Sequence, residues 1–381
     1  MAEEKRNVKI HNKSDKPDNI VKKEHEIAAK CKELENELPA FLANFHRYQR
    51  GNVLPMTRLA YLYDIRFFCD YLIAERKDLL RNPDIEQIRD ISIDDFANVK
   101  AADINEFIDY CRSYEKEVGK NIYVFENGSK TLARKKSSLS VMFKHLYRDG
   151  KLEKNITDGF DPIRVPKAGE REIKALQDDE VMKMLDAVSA GTHLTEKERA
   201  FWEKTKRRDK AILILFLTYG LRISELQQLN VSSFNFQRGE FKIYRKRGKE
   251  SIMPLNKSVT MVLSDYLDNE RARDEDILEE HQDALFLSLQ GKRMTERAIR
   301  EMCKKYTSIG MDTSRKAGYS PHKLRATAAT SLIGRGNSIF DVQALLDHEQ
   351  VTTTQLYAAH SKNVKRDLVK GMEWEIERKE K

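Results

Sequence analysis

Near the end of the 381-residue chain, the stretch LLDHEQVTTTQLYAAHS places His348 and Tyr357 nine positions apart. Tyr357 reads either as an aromatic packing residue on a terminal helix or as a reactive phenol. With an ordinary pKa of ~10 a phenol is a poor nucleophile, so the second reading needs a clamped electrophile and help with the proton. Other stretches carry groups that could supply both. TYGLRISEL sets Arg222 just after Gly220, where a buried helix can stop and a guanidinium at the lip of a core could grip an anion through two N–H groups. YSPHKLRATAATSL sets Ser320 at an N-cap position and Pro321 at the first helical position. His322 and Arg325 then share a helix face at whose start amides, dipole and cation could meet a phosphate. Taken singly, each fits a plainer role: a surface arginine beside a helix end, or a capped, solvated helix start. Together, two arginines, two histidines and a lysine around a phosphodiester would serve the phenol. Arginines neutralise the non-bridging oxygens as charge builds in a pentavalent transition state, a lysine can protonate the departing 5′-oxygen, and a histidine can relay a proton. The sequence has no carboxylate cluster suited to a metal, so neither metal nor cofactor is expected.

Lysines come from two basic stretches. GEFKIYRKRGKESIMPL reads as two short strands around a turn, with Arg245, Lys246, Arg247 and Lys249 crowding its tip. Like charges repel there, which suits a tip reaching toward a polyanion, although a soluble polar turn is the other reading. SKTLARKKSS gathers Lys130, Arg134, Lys135 and Lys136 where a helix begins. The helix dipole disfavours cations at that end unless phosphate lies nearby, and a solvated basic face competes with that view.

The elements that must hold these groups follow from periodicity. Residues 1–24 are charged, lack the apolar centre of a secretory signal, and read as a disordered tail. Residues 25–160 carry apolar residues at helical spacing: Ile27, Cys31, Leu34, Leu38 and Phe41, then a helix capped by Thr57, then Ile104 to Cys111, then Leu139 to Leu146. A four- or five-helix bundle is expected. A linker rich in Pro, Gly and charge spans 161–177, and 178–381 reads as a mixed domain. Its helices are placed at 178–189, 208–219, 222–230 and 257–272, with a short strand at ALFLS. No apolar run approaches the ~20 residues of a membrane span. The four cysteines are scattered and read as small buried residues, and the net charge of +8 favours a polyanionic partner. A cytoplasmic, nucleoid-associated protein is expected.

In order, GLRISEL, a strand-borne lysine, HKLR, then L-x-H followed nine residues later by tyrosine resembles the catalytic domain of the tyrosine recombinase (phage integrase) family. The segment before it is similar to that family's core-binding domain, so the resemblance spans about residues 25–375. Its nearest flavour is the single-recombinase Xer type of Gram-positive bacteria, or a phage or transposon integrase. The fold implied is an all-α SAM-like core-binding domain followed by a mainly α catalytic domain with a small antiparallel β-sheet. By position, the resemblance gives Arg222 and Arg325 the scissile phosphate and Lys246 the general acid, with Lys249 competing. His322 assists as acid/base, His348 hydrogen-bonds the phosphate, and Tyr357 attacks to leave a 3′-phosphotyrosine. The implied partner is double-stranded DNA with an inverted-repeat site, bound by a homodimer. Two sites synapse in a homotetramer joined through the C-terminal helix (Val364, Leu368, Met372, Trp374), and strands pass through a Holliday junction. The task implied is chromosome-dimer resolution or movement of a mobile element. A catalytically silent DNA-binding protein and a type IB-like topoisomerase are the alternatives. Two departures stand out: HKLRAT has Ala326 where the family writes histidine, and LDH has Asp347 where it writes glycine. An aspartate tolerates the left-handed region, so that turn can survive.

Overall fold

The computed structural model describes residues 16–166, 174–245, 248–271 and 277–347. The chain divides into two compact units, Met1–Pro166 and Lys167–Lys381, each with a core of its own.

The first unit is built from α1 (Asp18–Glu37), α2 (Ala43–Asn52), α3 (Pro55–Glu75), α4 (Ile93–Asn98), α5 (Ala101–Tyr110) and α6 (Ser129–Arg148). Their apolar faces close on Leu62, Phe68, Phe96, Phe107 and Phe143, with edge-to-face and stacked ring pairs at the centre. Four features differ from expectation. Helix α1 begins at Asp18, inside the span read as tail, because Ile20 is buried and Lys16 pairs with Glu24 at 2.7 Å. Helix α3 starts at Pro55 with Leu54 as N-cap, so Thr57 lies in the first turn: Pro55 takes the position where its missing N–H costs nothing. A hairpin, β1 (Ser113–Val118) and β2 (Asn121–Glu126), joins α5 to α6 in a unit expected to be wholly helical. Its strands pair from Ser113↔Glu126 to Val118↔Asn121, leaving a two-residue turn in which Gly119 has φ +65°. The hairpin rests on the bundle through Tyr114, which packs on Phe67 and Phe125. At the far end Phe160 is buried and Ile163 packs against the same core, so this core reaches into the span read as linker.

The second unit holds α7 (Asp178–Ala190), α8 (Glu196–Tyr219), α9 (Ile223–Gln227), the sheet β3 (Phe234–Asn235), β4 (Glu240–Tyr244) and β5 (Glu250–Pro254), then α10 (Lys257–Asn269), α11 (Glu296–Gly310), α12 (Pro321–Gly334) and α13 (Ile339–Leu346). The sheet is antiparallel in the order β3-β4-β5, with Phe241 opposite Met253 turned into the core. ALFLS forms isolated bridges to Asn230 and Arg293 and no full strand. Helix α8 is longer at its start than the pattern predicts, because Thr195 and Glu198 cap it reciprocally. It is the axis of the unit and packs on α7, α10 and α12. Buried Asp209 pins it to α11, accepting hydrogen bonds from Tyr306 Oη (3.1 Å) and Arg208 Nη2 (2.7 Å).

Candidate active site

The site begins where α8 ends. Gly220 takes φ +56°, ψ +36° and returns its N–H to Phe216 O at 2.9 Å, closing the helix in the left-handed conformation. A Cβ there would meet Leu346 Cδ2 at 2.5 Å and Arg325 Cγ at 3.5 Å, so glycine is required by the packing as well as by φ. Two residues on, Arg222 is the N-cap of α9. Glu225, the third residue of that helix, accepts from the Arg222 backbone N–H at 2.8 Å and from its Nη1 at 2.7 Å. Glu225 is buried, so the pair fixes the guanidinium rigidly beside a carboxylate that cannot move. The R-x-x-E spacing was the signal for Glu225: an acidic residue at the third helical position reaches back to its N-cap.

The second arginine comes from α12. Ser320 occupies the N-cap position, with no capping bond from its hydroxyl, and Pro321 the first helical position. One turn in, Arg325 is buried, whereas His322 is exposed. Arg325 donates through Nη1 to Gly220 O and through Nη2 to Leu346 O, both at 2.5 Å. Arg222 Nη2 donates to Asp347 O at 3.0 Å. The two arginines, about a hundred residues apart in sequence, thus meet at the last turn of α13. That turn presents carbonyls with no partner inside the helix, and cations complement its negative dipole end.

The β4–β5 hairpin reaches the same place. Arg245 Nη2 donates to Leu345 O at 2.8 Å, and Lys249 Nζ pairs with Asp347 Oδ1 at 2.9 Å. Asp347, the C-cap of α13, sits at φ +52°, ψ +52°, so the aspartate does hold the left-handed turn. Although partial burial opposes its ionisation, the Lys249 hydrogen bond and the charges of Arg245 and Arg222 together hold its carboxyl below the usual range. Arg245 is not at an exposed tip. It is buried, burial depresses its guanidinium from the ordinary value, and Glu225 and Asp347 oppose that shift. Lys246, Arg247, His348 and Tyr357, like the segment from Val364 to Trp374 expected to be a C-terminal helix, lie outside the described residues.

Three of the four cations at the start of α6 are engaged within the first unit, although only Lys135 is buried. Arg134 and Lys135 both pair with buried Asp64 of α3, and Lys135 lies 4.2 Å over the ring of Phe67. Lys136 donates to the carbonyls of Phe160 and Asp161. Lys130 is exposed. A buried carboxylate needs paired cations wherever they fall on the helix, which explains Arg134 and Lys135 without a phosphate, while Lys136 is held by main-chain carbonyls.

What the α8–α9 junction, α12, α13 and the hairpin assemble is therefore a concentration of guanidinium and ammonium groups around one helix end, suited to a phosphate oxygen. The phage integrase family model matches residues 174–364, a span that contains all of these elements. The chain is 31% identical over 305 residues to the tyrosine recombinase XerC of Caldanaerobacter subterraneus subsp. tengcongensis, covering 80% of this chain and 77% of that protein. To the tyrosine recombinase XerD of Listeria innocua it is 28% identical over 314 residues, 82% of this chain and 90% of the other. Among solved structures, the XerH site-specific recombinase bound to a palindromic difH substrate superposes with a TM-score of 0.61 at 15% identity, covering 91% of this chain and 88% of that one. The Tn1549 transposon integrase in complex with circular intermediate DNA does so with a TM-score of 0.54 at 21% identity, covering 89% and 98%. At those identities the structures speak to the fold: two units, the second with the tyrosine recombinase catalytic architecture. A family match across half the chain, and a relative sharing nearly a third of its residues along most of both lengths, place the chain in the phage integrase family.

Proposed function

We propose that this protein is a site-specific tyrosine recombinase, which cuts and rejoins double-stranded DNA through a 3′-phosphotyrosine and a Holliday junction. The observation that carries this is the meeting of Arg222 and Arg325 at the end of α13, directly before the segment that holds His348 and Tyr357. Arg222 and Arg325 bind the non-bridging oxygens of the scissile phosphate and stabilise the charge that grows there. The Tyr357 hydroxyl attacks phosphorus and loses its proton, assisted by His322. The P–O5′ bond breaks as Lys246 gives a proton to the departing oxygen, and His348 hydrogen-bonds the phosphate. The bond energy stays in the phosphotyrosine, and attack by a 5′-hydroxyl of the partner strand reverses the step and releases the tyrosine. The XerC and XerD relatives favour a Xer-like role in chromosome-dimer resolution, and the likeness to a transposon integrase keeps movement of a mobile element as the second reading. The first unit serves as the core-binding domain and the second as the catalytic domain. A homodimer binds each site, and a homotetramer joins two sites through the C-terminal helix. Exposed Lys130 and Lys249, with Arg247, are the strongest candidates for phosphate contacts.

A suicide substrate, nicked so that the cleaved end diffuses away, tests the chemistry. The wild-type protein is expected to accumulate a covalent DNA adduct, and Tyr357→Phe to form none. An adduct of equal yield in the phenylalanine variant would overturn the assignment of the nucleophile.

A further inference from the structure

The hairpin between α5 and α6 has one edge guarded by charge and one edge open. At its root the Asn127 N–H donates to Arg112 O at 2.9 Å. Antiparallel pairs alternate between bonded and non-bonded, so this contact sets the phase of the ladder. Tyr114–Phe125 and Lys116–Tyr123 are then bonded pairs, and the N–H and C=O groups of Ile122, Val124 and Glu126 point away from β1. On β1 the outward groups are those of Ser113, Glu115 and Glu117. All six residues of β2 are exposed, Ile122 and Val124 each by 62%. The hairpin is nonetheless anchored. Tyr114 packs on Phe67, Tyr110 and Phe125, and Asn127 Nδ2 donates to Cys111 O at 2.8 Å.

An open edge accepts a further strand, and folds commonly block this with charge. Here only β1 carries the block. Two β1 strands laid antiparallel with most of their length overlapping set Glu115 against Glu115 or Glu117 of the other copy, which is repulsive. Two β2 strands meet no such conflict. With Val124 on the twofold axis, Tyr123 faces Phe125 of the other copy and Ile122 faces its Glu126. With Tyr123 on the axis, Ile122 faces the other copy's Val124. A β2 strand on a β1 strand would lay apolar side chains along Glu115 and Glu117, and it would leave further edges open instead of closing.

We propose that the outer edge of β2 docks a second copy of this chain, β2 against β2, so that two hairpins form one antiparallel four-stranded sheet. This deepens the proposed function and rests on it in one respect: binding to DNA brings the second copy close. An edge of six residues per copy buries less than the ~1,200 Å² of a stable interface. The contact therefore forms when DNA raises the local concentration of the chain, and it makes binding cooperative without a permanent dimer.

Cysteine trapping of the full-length protein tests the contact. The four native cysteines are buried, so a single added one reports alone. Residues facing each other across antiparallel strands have Cα atoms ~4.5–5.5 Å apart, within disulfide range. Val124→Cys and Tyr123→Cys are each oxidised on a ~60-base-pair duplex of mixed sequence at low salt. One of them is expected to give disulfide dimer on the order of tenfold above Glu117→Cys, whose counterpart lies ~14 Å away across the four strands. Ile122→Pro removes only an outward N–H, which an edge strand tolerates, and should abolish that crosslink. Val124→Lys, without an added cysteine, guards the edge and should lose cooperative binding to the long duplex. Its affinity for a duplex short enough for one copy should be at least that of wild type, since the added charge favours DNA. The proposal is overturned if neither β2 cysteine exceeds Glu117→Cys, which would leave the edge to a strand of a different protein. It is also overturned if the crosslink survives Ile122→Pro, or if Val124→Lys binds the long duplex as cooperatively as wild type. Failure of the recombinase reading has a separate signature, an adduct that persists in Tyr357→Phe, because the trapping needs DNA binding and no cleavage.

Discussion

His46 of α2 shows how a single side chain can set the acid limit of the fold. It is 5% exposed and neither ring nitrogen has a partner among the described residues. Burial depresses its pKa from 6.5 to about 4, with Arg50 and Arg58 adding to the shift and Glu35 opposing it. Because the unfolded chain takes up this proton first, stability is complete above about pH 6.5 and is lost as pH falls toward about 4. Between pH 7 and pH 4.5 the unfolding free energy of the first unit should fall by ~1–3 kcal/mol from this group. His145, depressed in the same direction by burial, adds to the fall. His46→Leu should flatten the dependence in urea unfolding followed across that range, and an undiminished slope would count against the assignment. No pattern in the sequence marks His46, since burial of one polar residue on an amphipathic helix depends on neighbours from α1 and α3. Arg222 and Arg325 were legible because a glycine stop and an N-terminal proline fix their places on the backbone. Arg245 was misread: composition shows four cations near a turn, and only the packed structure shows which of them turns inward.

At the scale of elements, the start of α6 shows why charge runs mislead. Lys130, Arg134, Lys135 and Lys136 look like a surface for phosphate, yet two of them neutralise Asp64 on α3, a residue only 2% exposed. Removing one partner of a buried ion pair leaves an uncompensated charge and costs ~3–5 kcal/mol. Asp64→Ala strands Lys135 beneath Phe67, and the first unit should lose about that much stability in urea unfolding. A loss below 1 kcal/mol, accompanied by weaker DNA binding, would return the cluster to the surface role suggested by composition. The helices themselves were largely legible from their apolar spacing, with starts missed by about two turns at α1 and more than three at α8 because caps and local ion pairs extend them. The β1–β2 hairpin was not read, although Tyr114, Lys116 and Val118 alternate with acidic residues before Gly119 and a continuous apolar run, Ile122 to Phe125, follows. In a chain dominated by helical spacing, six-residue strands give too short a signal to stand out.

At the scale of the molecule, the two units keep separate accounts of hydrophobic burial. Every residue of the first unit's core lies between Cys31 and Phe160, and every residue of the second unit's main core lies between Leu176 and Leu324. A core that borrows nothing from beyond its own segment should sustain folding alone, provided the segment exceeds the size below which surface outweighs interior. Residues 16–166 meet that condition. They also retain their own polar closures: Glu35 with Arg58, Asp64 with Lys135, and the Ser92–Asp95 capping box. The excised segment is therefore expected to unfold in one cooperative transition in urea, with fluorescence and circular dichroism coinciding. Its midpoint should respond to Asp64→Ala and to pH as the first unit does within the full chain. Non-coincident probes, or binding of a hydrophobic dye by the native segment, would mean that its core depends on the second unit. The division matters for the chemistry, since every described residue of the proposed phosphate site lies in the second unit. The arginines are held there by contacts within the second unit, from the α8–α9 junction to Glu225, Gly220 O and the last turn of α13.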